Sequence, residues 1–517
     1  MRHIKKIICL SLLAIFLMIP MSAFASISPT TYESHYKYTK AFADGSKVDY
    51  IYDSAERLTE VHDTVSGFIY FEYDILGNVT KETTPNGSVS YTYDVLGRRT
   101  SMTASGQEPV YYAYNEDGRM VSLSSNGMSF GFEYDALGRR TSLSYPNGQM
   151  TNYSYDAGSN LLSIEHIDSS NSTIEKIAYG YDPNGNRTKA DRQNVSPKSS
   201  SNMSATYDSA NRMTTFNTEN LLYDDNGNLV QKGDTFYQWD ARGRLVGLTN
   251  STMNASFKYD ALGRRIEKTI NGKTTQYLYD GLDIVQEIED GMVSVNYIRT
   301  LNIDEPLARI KTDGSVRYYQ QDGLGSVIAL TDETGVIKTQ YVYDTFGNTS
   351  FVGERSDNTF QYTGRENDET GLYYYRARYY SPELHRFISE DPIGSGVNHY
   401  SYVNNNPLNY MDPLGLEKCK DGLAYDDNGK LIGEKGLEAP LLDPIDLIPA
   451  GAIASEAPKA LKAVTFVLNH NKFFRIGWGR RGGDRVFRAS GDWVRRLNKR
   501  FRGIDNSHID FWKGGPL

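Results

Sequence analysis

From about residue 40 to residue 350, apolar and polar positions alternate in short runs, and turn-forming residues cut the runs at regular intervals. In the stretch 84–103, Val89, Tyr91 and Tyr93 occupy every second position with Ser and Thr between them. That is the period of a half-buried strand. Two kinds of turn alternate along the chain. One is an Asn-Gly or Asp-Gly pair, as at Asp44-Gly45, Asn86-Gly87, Asn126-Gly127, Asn147-Gly148 and Asn271-Gly272, a hairpin signal because both central residues of the favoured turn need positive φ. The other is Tyr-Asp followed by a tight turn ending in Gly and then usually Arg or Asn, as in Tyr93-Asp94-Val95-Leu96-Gly97-Arg98. Here the Asp can bond its own turn backbone and the Gly accepts the left-handed conformation. The pattern predicts strand-turn-strand units that follow one another along a winding β-ribbon.

The Tyr-Asp copies begin at Tyr52, Tyr73, Tyr93, Tyr134, Tyr155, Tyr181, Tyr207, Tyr223, Tyr259, Tyr279 and Tyr343, with variants at Tyr114, Trp239 and Tyr319. The first gaps, counting Tyr114, are 21, 20, 21, 20 and 21 residues, the self-similarity of stacked supersecondary units. One such unit is too small to be stable alone, so stacking must bury its tyrosines. Aromatic platforms for sugars or bases are the other use of 39 Tyr residues. Their fixed place before a turn favours interstrand packing. The Arg after each Gly reads as an Asp-paired or solvated structural charge.

Composition adds a compartment and a division of labour. Residues 1–25 carry Arg2, Lys5 and Lys6, an apolar run from Ile7 to Ile19, and Ala23-Phe24-Ala25, which reads as a secretory signal cut between Ala25 and Ser26. The mature chain is therefore expected to be secreted or held at the cell surface. With Cys9 removed only Cys419 remains, so no intrachain disulfide can stabilise it. The net charge of −9 conceals two parts: residues 457–517 hold 14 Lys+Arg against 4 Asp+Glu, and residues 1–456 hold 41 against 60. The acidic part suits a scaffold, and the basic part suits a polyanion.

After the last repeat the chain changes to Phe360-Gln361-Tyr362-Thr363-Gly364-Arg365-Glu366, then Gly371-Leu372-Tyr373-Tyr374-Tyr375-Arg376-Ala377-Arg378-Tyr379-Tyr380. Arg386-Phe387-Ile388-Ser389-Glu390-Asp391-Pro392-Ile393-Gly394 follows, and after 17 intervening residues Asp412-Pro413-Leu414-Gly415-Leu416. Asp-Pro-x-Gly alone is turn chemistry. The doubled motif is set where composition changes. These motifs resemble the Rhs-associated core of the Rhs/YD-repeat family, which includes Tc-toxin C components and the YD shell of teneurins. The resemblance covers about residues 40–416. It implies a mainly β fold, a repeat ribbon wound into a shell, closed by a core with an aspartyl-type self-cleaving site. It casts Asp391 and Asp412 as the carboxylate pair, with Arg386 orienting one of them or the scissile carbonyl, and the cut between Leu416 and Glu417. The chain then divides into a signal at 1–25, repeats at 26–350, the core at 351–416, a linker and pre-toxin segment at 417–456, and a small α+β domain at 457–517.

That last domain is expected to be the cargo. Strands are predicted over 473–478, 485–489 and 507–512, with helices over 457–469 and 492–501. Its densest feature is Arg475-Ile476-Gly477-Trp478-Gly479-Arg480-Arg481-Gly482-Gly483-Asp484-Arg485-Val486-Phe487-Arg488. Arg475, Trp478, Arg480, Arg481, Arg485 and Arg488 make a surface suited to phosphate contact and base stacking. His508, with Asp510 two positions on, suits proton transfer in metal-independent RNA cleavage, Arg480 steadying the phosphate. A strand-edge His on a solvated basic face is the plainer reading. The Cys-x-x-Cys of a zinc deaminase and the paired His and acidic residues of an HNH-like nuclease are absent from this tail, so neither metal nor cofactor is predicted. The partners implied are a target cell's nucleic acid, RNA foremost, and a cognate immunity protein. A surface adhesin or glycan-binding scaffold without catalysis is the alternative, with a cell-surface glycan as its partner.

Overall fold

The computed structural model describes residues 36–193, 203–394, 397–416, 418–420, 423–425 and 431–434, and in the basic tail the backbone of 475–476 and 485–486. The predicted signal segment and the tail's predicted helices and last strand lie outside these residues. The described chain is mainly β. Fifteen antiparallel strands, from β1 (Tyr36–Ala41) to β15 (Arg187–Arg192), form one sheet, and sixteen, from β16 (Ala205–Tyr207) to β31 (Thr349–Gly353), form a second. In both, strand order is sequence order, the meander that two alternating hairpin turns must produce.

The Tyr-Asp turn is built entirely from its own residues. Asp94 Oδ1 accepts the Leu96 and Arg98 N–H groups at 2.9 and 3.0 Å, Arg98 Nε donates to Oδ2 at 2.6 Å, and the Gly97 N–H closes on the Asp94 carbonyl at 2.9 Å. Gly97 stands at φ +75°, a conformation cheap only for glycine. A register shift falls immediately before the tyrosine, between Thr92 and Tyr93 and again between Glu133 and Tyr134; such bulges bend and twist the ribbon. The tyrosine also does more than pack. Its hydroxyl donates to a carbonyl at the start of an earlier strand: Tyr93 to Val79 at 2.6 Å, Tyr134 to Met120 at 2.8 Å, Tyr259 to Leu245 at 2.6 Å and Tyr279 to Arg265 at 2.8 Å. Trp239 repeats the bond through Nε1 to Leu229 at 2.8 Å. An Arg that closes a Tyr-Asp turn pairs with the turn's Asp and stacks on the next tyrosine, as Arg57, which follows Glu56, on Tyr73, Arg98 on Tyr114 and Arg139 on Tyr155, each at 4.7 Å.

At Asp260 this turn is buried, and it accepts the Leu262 and Arg264 N–H groups at 2.9 Å each. Replacing Asp260 by Ala is expected to cost about 2 kcal/mol, since two buried donors lose their acceptor. A denaturant midpoint lowered by that cost divided by the slope, with the slope unchanged, is the check.

The sheets are joined by a shared core and by ion pairs. Val89 and Tyr91 on β6 (Gly87–Tyr93), Phe130 and Phe132 on β10 (Met128–Tyr134), and Leu143 on β11 (Arg140–Ser144) pack in one cluster with Leu278, Val285, Ile298, Leu307 and Tyr318 of the second sheet. Arg99 reaches Asp280, Arg140 reaches Glu305, Arg264 reaches Glu82 at 2.5 Å, and Arg242 reaches Asp63 at 2.6 Å. Adjacent positions on a strand face opposite ways. In the three described Gly-Arg-Arg runs, at 97–99, 138–140 and 263–265, the first Arg pairs with its own turn's Asp and the second reaches a carboxylate on another element, Arg264 also reaching Glu82.

The segment after the ribbon forms a four-stranded antiparallel sheet: β32 (Glu366–Asn367), β33 (Tyr373–Tyr375), β34 (Arg378–Ser381) and β35 (Arg386–Phe387). Leu372, Tyr374, Tyr379, Leu384 and Ile388 pack onto Met213, Leu245, Phe257 and Tyr259 of the second sheet. Tyr373, Tyr375, Tyr380, Phe387 and Tyr402 form an aromatic cluster of their own. Beyond Leu416 the sequence reading placed linker. The structure has a short hairpin there, Cys419–Lys420 with Leu423–Tyr425, and Cys419 also bridges back to Met411.

Candidate active site

Both Asp-Pro-x-Gly motifs are turns, as their composition demands. Asp391 Oδ1 accepts the Ile393 N–H at 2.9 Å and its carbonyl accepts the Gly394 N–H at 2.9 Å. Asp412 Oδ1 accepts the Leu416 N–H at 3.0 Å and its carbonyl accepts the Gly415 N–H at 3.3 Å. Gly415 is irreplaceable on two counts: φ is +68°, and a Cβ there would lie 2.3 Å from the Tyr375 carbonyl oxygen and 3.1 Å from the Arg378 nitrogen. With each Oδ1 committed to its turn, the second oxygen is aimed elsewhere. Asp391 Oδ2 and Asp412 Oδ2 both face Arg378 Nη2, at 4.0 and 3.5 Å, and all three side chains are buried. The two turns thus also bring both aspartates to one guanidinium.

Arg378, which sequence reasoning missed, holds this position by three further contacts. Nε donates to the Gly415 carbonyl at 2.5 Å, Nη1 donates to the His399 carbonyl at 3.0 Å, and the guanidinium lies 3.7 Å from the Phe387 ring centroid. Arg386, named from the sequence, is elsewhere. Its guanidinium lies 5.0 and 5.1 Å from the rings of Tyr207 and Tyr400, Nη2 contacts Asn398 Oδ1 at 3.4 Å, and burial lowers its pKa. Phe387 is the residue beside Arg386 on β35, and strand alternation turns adjacent side chains to opposite faces. Because Phe387 carries Arg378, Arg386 turns away from the aspartates. A usable signal was present in the sequence: an Arg between Tyr373-Tyr374-Tyr375 and Tyr379-Tyr380 must find carboxylates if that stretch is buried.

The segment leading to Leu416 is held carbonyl by carbonyl. Pro413 O accepts from Arg376 Nη1 at 2.5 Å, Leu414 O from the Ala377 N–H at 3.1 Å, and Gly415 O from Arg378 Nε at 2.5 Å. On the far side, Met411 and Cys419 exchange backbone hydrogen bonds of 3.0 and 2.6 Å, and Lys418 Nζ lies 5.5 Å from the Tyr410 ring. The described residues on either side of position 417 are thus pinned, 413–415 by the β33–β34 turn and Cys419 by Met411, with Asp412 at the start of the stretch that reaches Leu416.

Of the other predicted site residues, Ala25, Ser26, Glu417, Trp478, Arg480, Arg481, Arg488, His508 and Asp510 lie outside the described residues. Arg475 and Arg485 are seen as backbone: Arg475–Ile476 pairs antiparallel with Arg485–Val486.

A family model described as Teneurin YD-shell matches residues 131–408, and one described as RHS Repeat matches residues 73–109. Among curated relatives, the tRNA nuclease WapA of Bacillus subtilis is 37% identical over 255 residues, covering 46% of this chain and 11% of the relative. The double-stranded DNA deaminase toxin A of Burkholderia cenocepacia is 30% identical over 254 residues, covering 41% of this chain and 18% of the relative. The chain thus spans about a tenth of the length of the WapA proteins it matches. Among solved structures, the crystal structure of TcdB2-TccC3-TEV aligns at a TM-score of 0.55 and 18% identity, covering 73% of this chain and 27% of that one. This is a likeness of fold.

Proposed function

The chain belongs to the teneurin YD-shell family, and from that premise we propose that it is an exported Rhs-type toxin that cuts itself after Leu416 and frees a basic effector that cleaves RNA. The observation that carries the cut is the convergence of Asp391 and Asp412 on Arg378, at the base of the loop that holds Leu416. In the reaction one carboxylate takes a proton from water, whose oxygen adds to the Leu416 carbonyl carbon. The other carboxyl gives a proton to the Glu417 nitrogen as the C–N bond breaks. Arg378 sits between them to hold both oxygens and to offset the charge that two acids bring into a dry site.

The effector reading rests on the charge of residues 457–517, with Arg475, Trp478, Arg480, Arg481, Arg485 and Arg488 as the nucleic-acid surface and His508, Asp510 and Arg480 as the chemistry. Two relatives are named as a tRNA nuclease and a DNA deaminase toxin, which supports nucleic acid as the target class. Export through residues 1–25, with cleavage between Ala25 and Ser26, and a protective immunity protein in the producer complete the proposal.

Mass spectrometry of the mature chain should find a separate fragment beginning at Glu417. Expression of residues 417–517 in a bacterial cytoplasm should arrest growth with RNA degraded. His508→Ala should abolish that degradation and keep RNA binding, whereas Arg480→Ala and Arg481→Ala should weaken binding and flatten its salt dependence. Growth arrest with intact RNA and DNA would overturn the nuclease assignment. A folded tail without effect on growth would favour the surface adhesin.

A further inference from the structure

Resting on the reading that the chain cuts itself after Leu416, we infer that Arg376 is a positioning residue that makes the cut conditional on a folded shell. Arg376 stands at φ +56° in the turn between β33 and β34, and its guanidinium meets two parts of the molecule at once. Toward the cleavage loop, Nη1 donates to the Pro413 carbonyl at 2.5 Å. Toward the ribbon, Nη1 and Nη2 reach the two oxygens of Asp304 at 3.0 and 2.7 Å, and Nη2 reaches Asp283 Oδ1 at 3.1 Å. Asp283 opens β25 (Asp283–Glu289), and Asp304 lies in the turn between β26 (Met292–Arg299) and β27 (Pro306–Lys311). Both acids are themselves fixed, Asp304 by Arg365 at 2.5 Å and Asp283 by Arg299 at 3.1 Å.

The consequence follows from the order of contacts. Arg376, Ala377 and Arg378 hold the carbonyls of Pro413, Leu414 and Gly415 in turn, and Arg378 is also the residue between the aspartates. A cation buried without its acids is strongly disfavoured. Until strands β24 (Lys273–Asp280) to β27 bring Asp283 and Asp304 together, the Arg376 turn has no seat and the loop has no register. A displacement of about 1 Å at a reacting bond costs about 100-fold in rate. Premature release of the tail from an unfinished shell is thereby suppressed.

The test follows cleavage of the full chain after synthesis in a cell-free system, timed by the fragment that begins at Glu417. Arg376→Met should slow the cut about 100-fold without changing the shape of its pH profile, because the acids that react are untouched. Arg376→Lys, which keeps a cation able to reach Asp304, should recover part of the rate. Asp283→Asn, a milder change, should slow the cut while circular dichroism and protease resistance stay those of the wild type. Wild-type rates in folded Arg376→Met or in Asp283→Asn would overturn the inference while leaving self-cleavage standing. A wild-type chain that stays intact would instead sink the self-cleavage reading, and the inference with it.

Discussion

Asp391→Asn and Asp412→Asn are each expected to leave one uncut polypeptide, with the fragment that begins at Glu417 reduced at least 1,000-fold in rate of appearance, an effect of about the size of losing an acid or base. The amide is the informative replacement because it separates turn from chemistry. An Asn Oδ1 can still accept the Ile393 or Leu416 N–H that the aspartate accepts now, so each turn keeps its shape. What is lost is a group able to take up or release a proton. Arg378→Met should also stop the cut, and it should destabilise the core, because it leaves both buried carboxylates without the cation they face. Arg386→Met should leave cleavage intact, since that guanidinium stacks on Tyr207 and Tyr400. Fragment release at wild-type rates from both Asn variants, in a preparation free of host proteases, would end the aspartyl reading.

Much of this molecule is legible because its information is short-range. Tyr93 to Arg98 carry everything their turn needs, so residue types alone give the turn, the strands on either side and the sequential strand order. The long-range contacts were hidden for a physical reason. Which carboxylate the second Arg of a Gly-Arg-Arg in the ribbon reaches depends on how far the ribbon winds between them, from Arg99 to Asp280 or from Arg140 to Glu305, and local spacing does not encode that. The same limit explains the choice of Arg386 over Arg378. Arg386 is near Asp391 in sequence, whereas Arg378 is brought to both aspartates by the β33–β34 turn and held there by Gly415, His399 and Phe387. The tyrosine hydroxyl bonds were hidden for a different reason. A side chain that packs and one that also donates a hydrogen bond leave the same apolar periodicity.

The pairing of Arg265 with Asp368 should be the most costly structural contact to break, at about 3–5 kcal/mol for Asp368→Ala. Arg265 opens β23 (Arg265–Ile270) and is fully buried; its Nη1 and Nη2 donate to Asp368, its Nη2 reaches Glu366 at 2.5 Å, and its backbone N–H donates to Tyr374 Oη at 3.1 Å. Lys268 Nζ adds a 2.8 Å contact to Asp368. Removing Asp368 therefore leaves Glu366 as the one acid of the pair facing Arg265, beside the 3.4 Å contact to Tyr379 Oη, and frees Lys268 inside a packed face. Replacing the pair with apolar residues, Arg265→Met with Asp368→Leu, should recover most of the loss, because the desolvation cost of both charges disappears with them. Acid should act in the same direction as the single variant. Burial favours the neutral acid, but Arg265 and Lys268 outweigh it and hold Asp368 below its ordinary value of 3.8. Its contribution is then present above about pH 4 and lost as the pH falls through the lowered value. Stability of Asp368→Ala should accordingly fall less steeply below pH 4 than that of the wild type. Denaturant titrations of the two single variants and the double variant at pH 7 and pH 3 decide the matter. A cost under about 1 kcal/mol for Asp368→Ala, the size of a solvent-exposed pair, would mean that the apolar contacts of Tyr374 and Tyr379, and not this ion pair, fix the core to the ribbon.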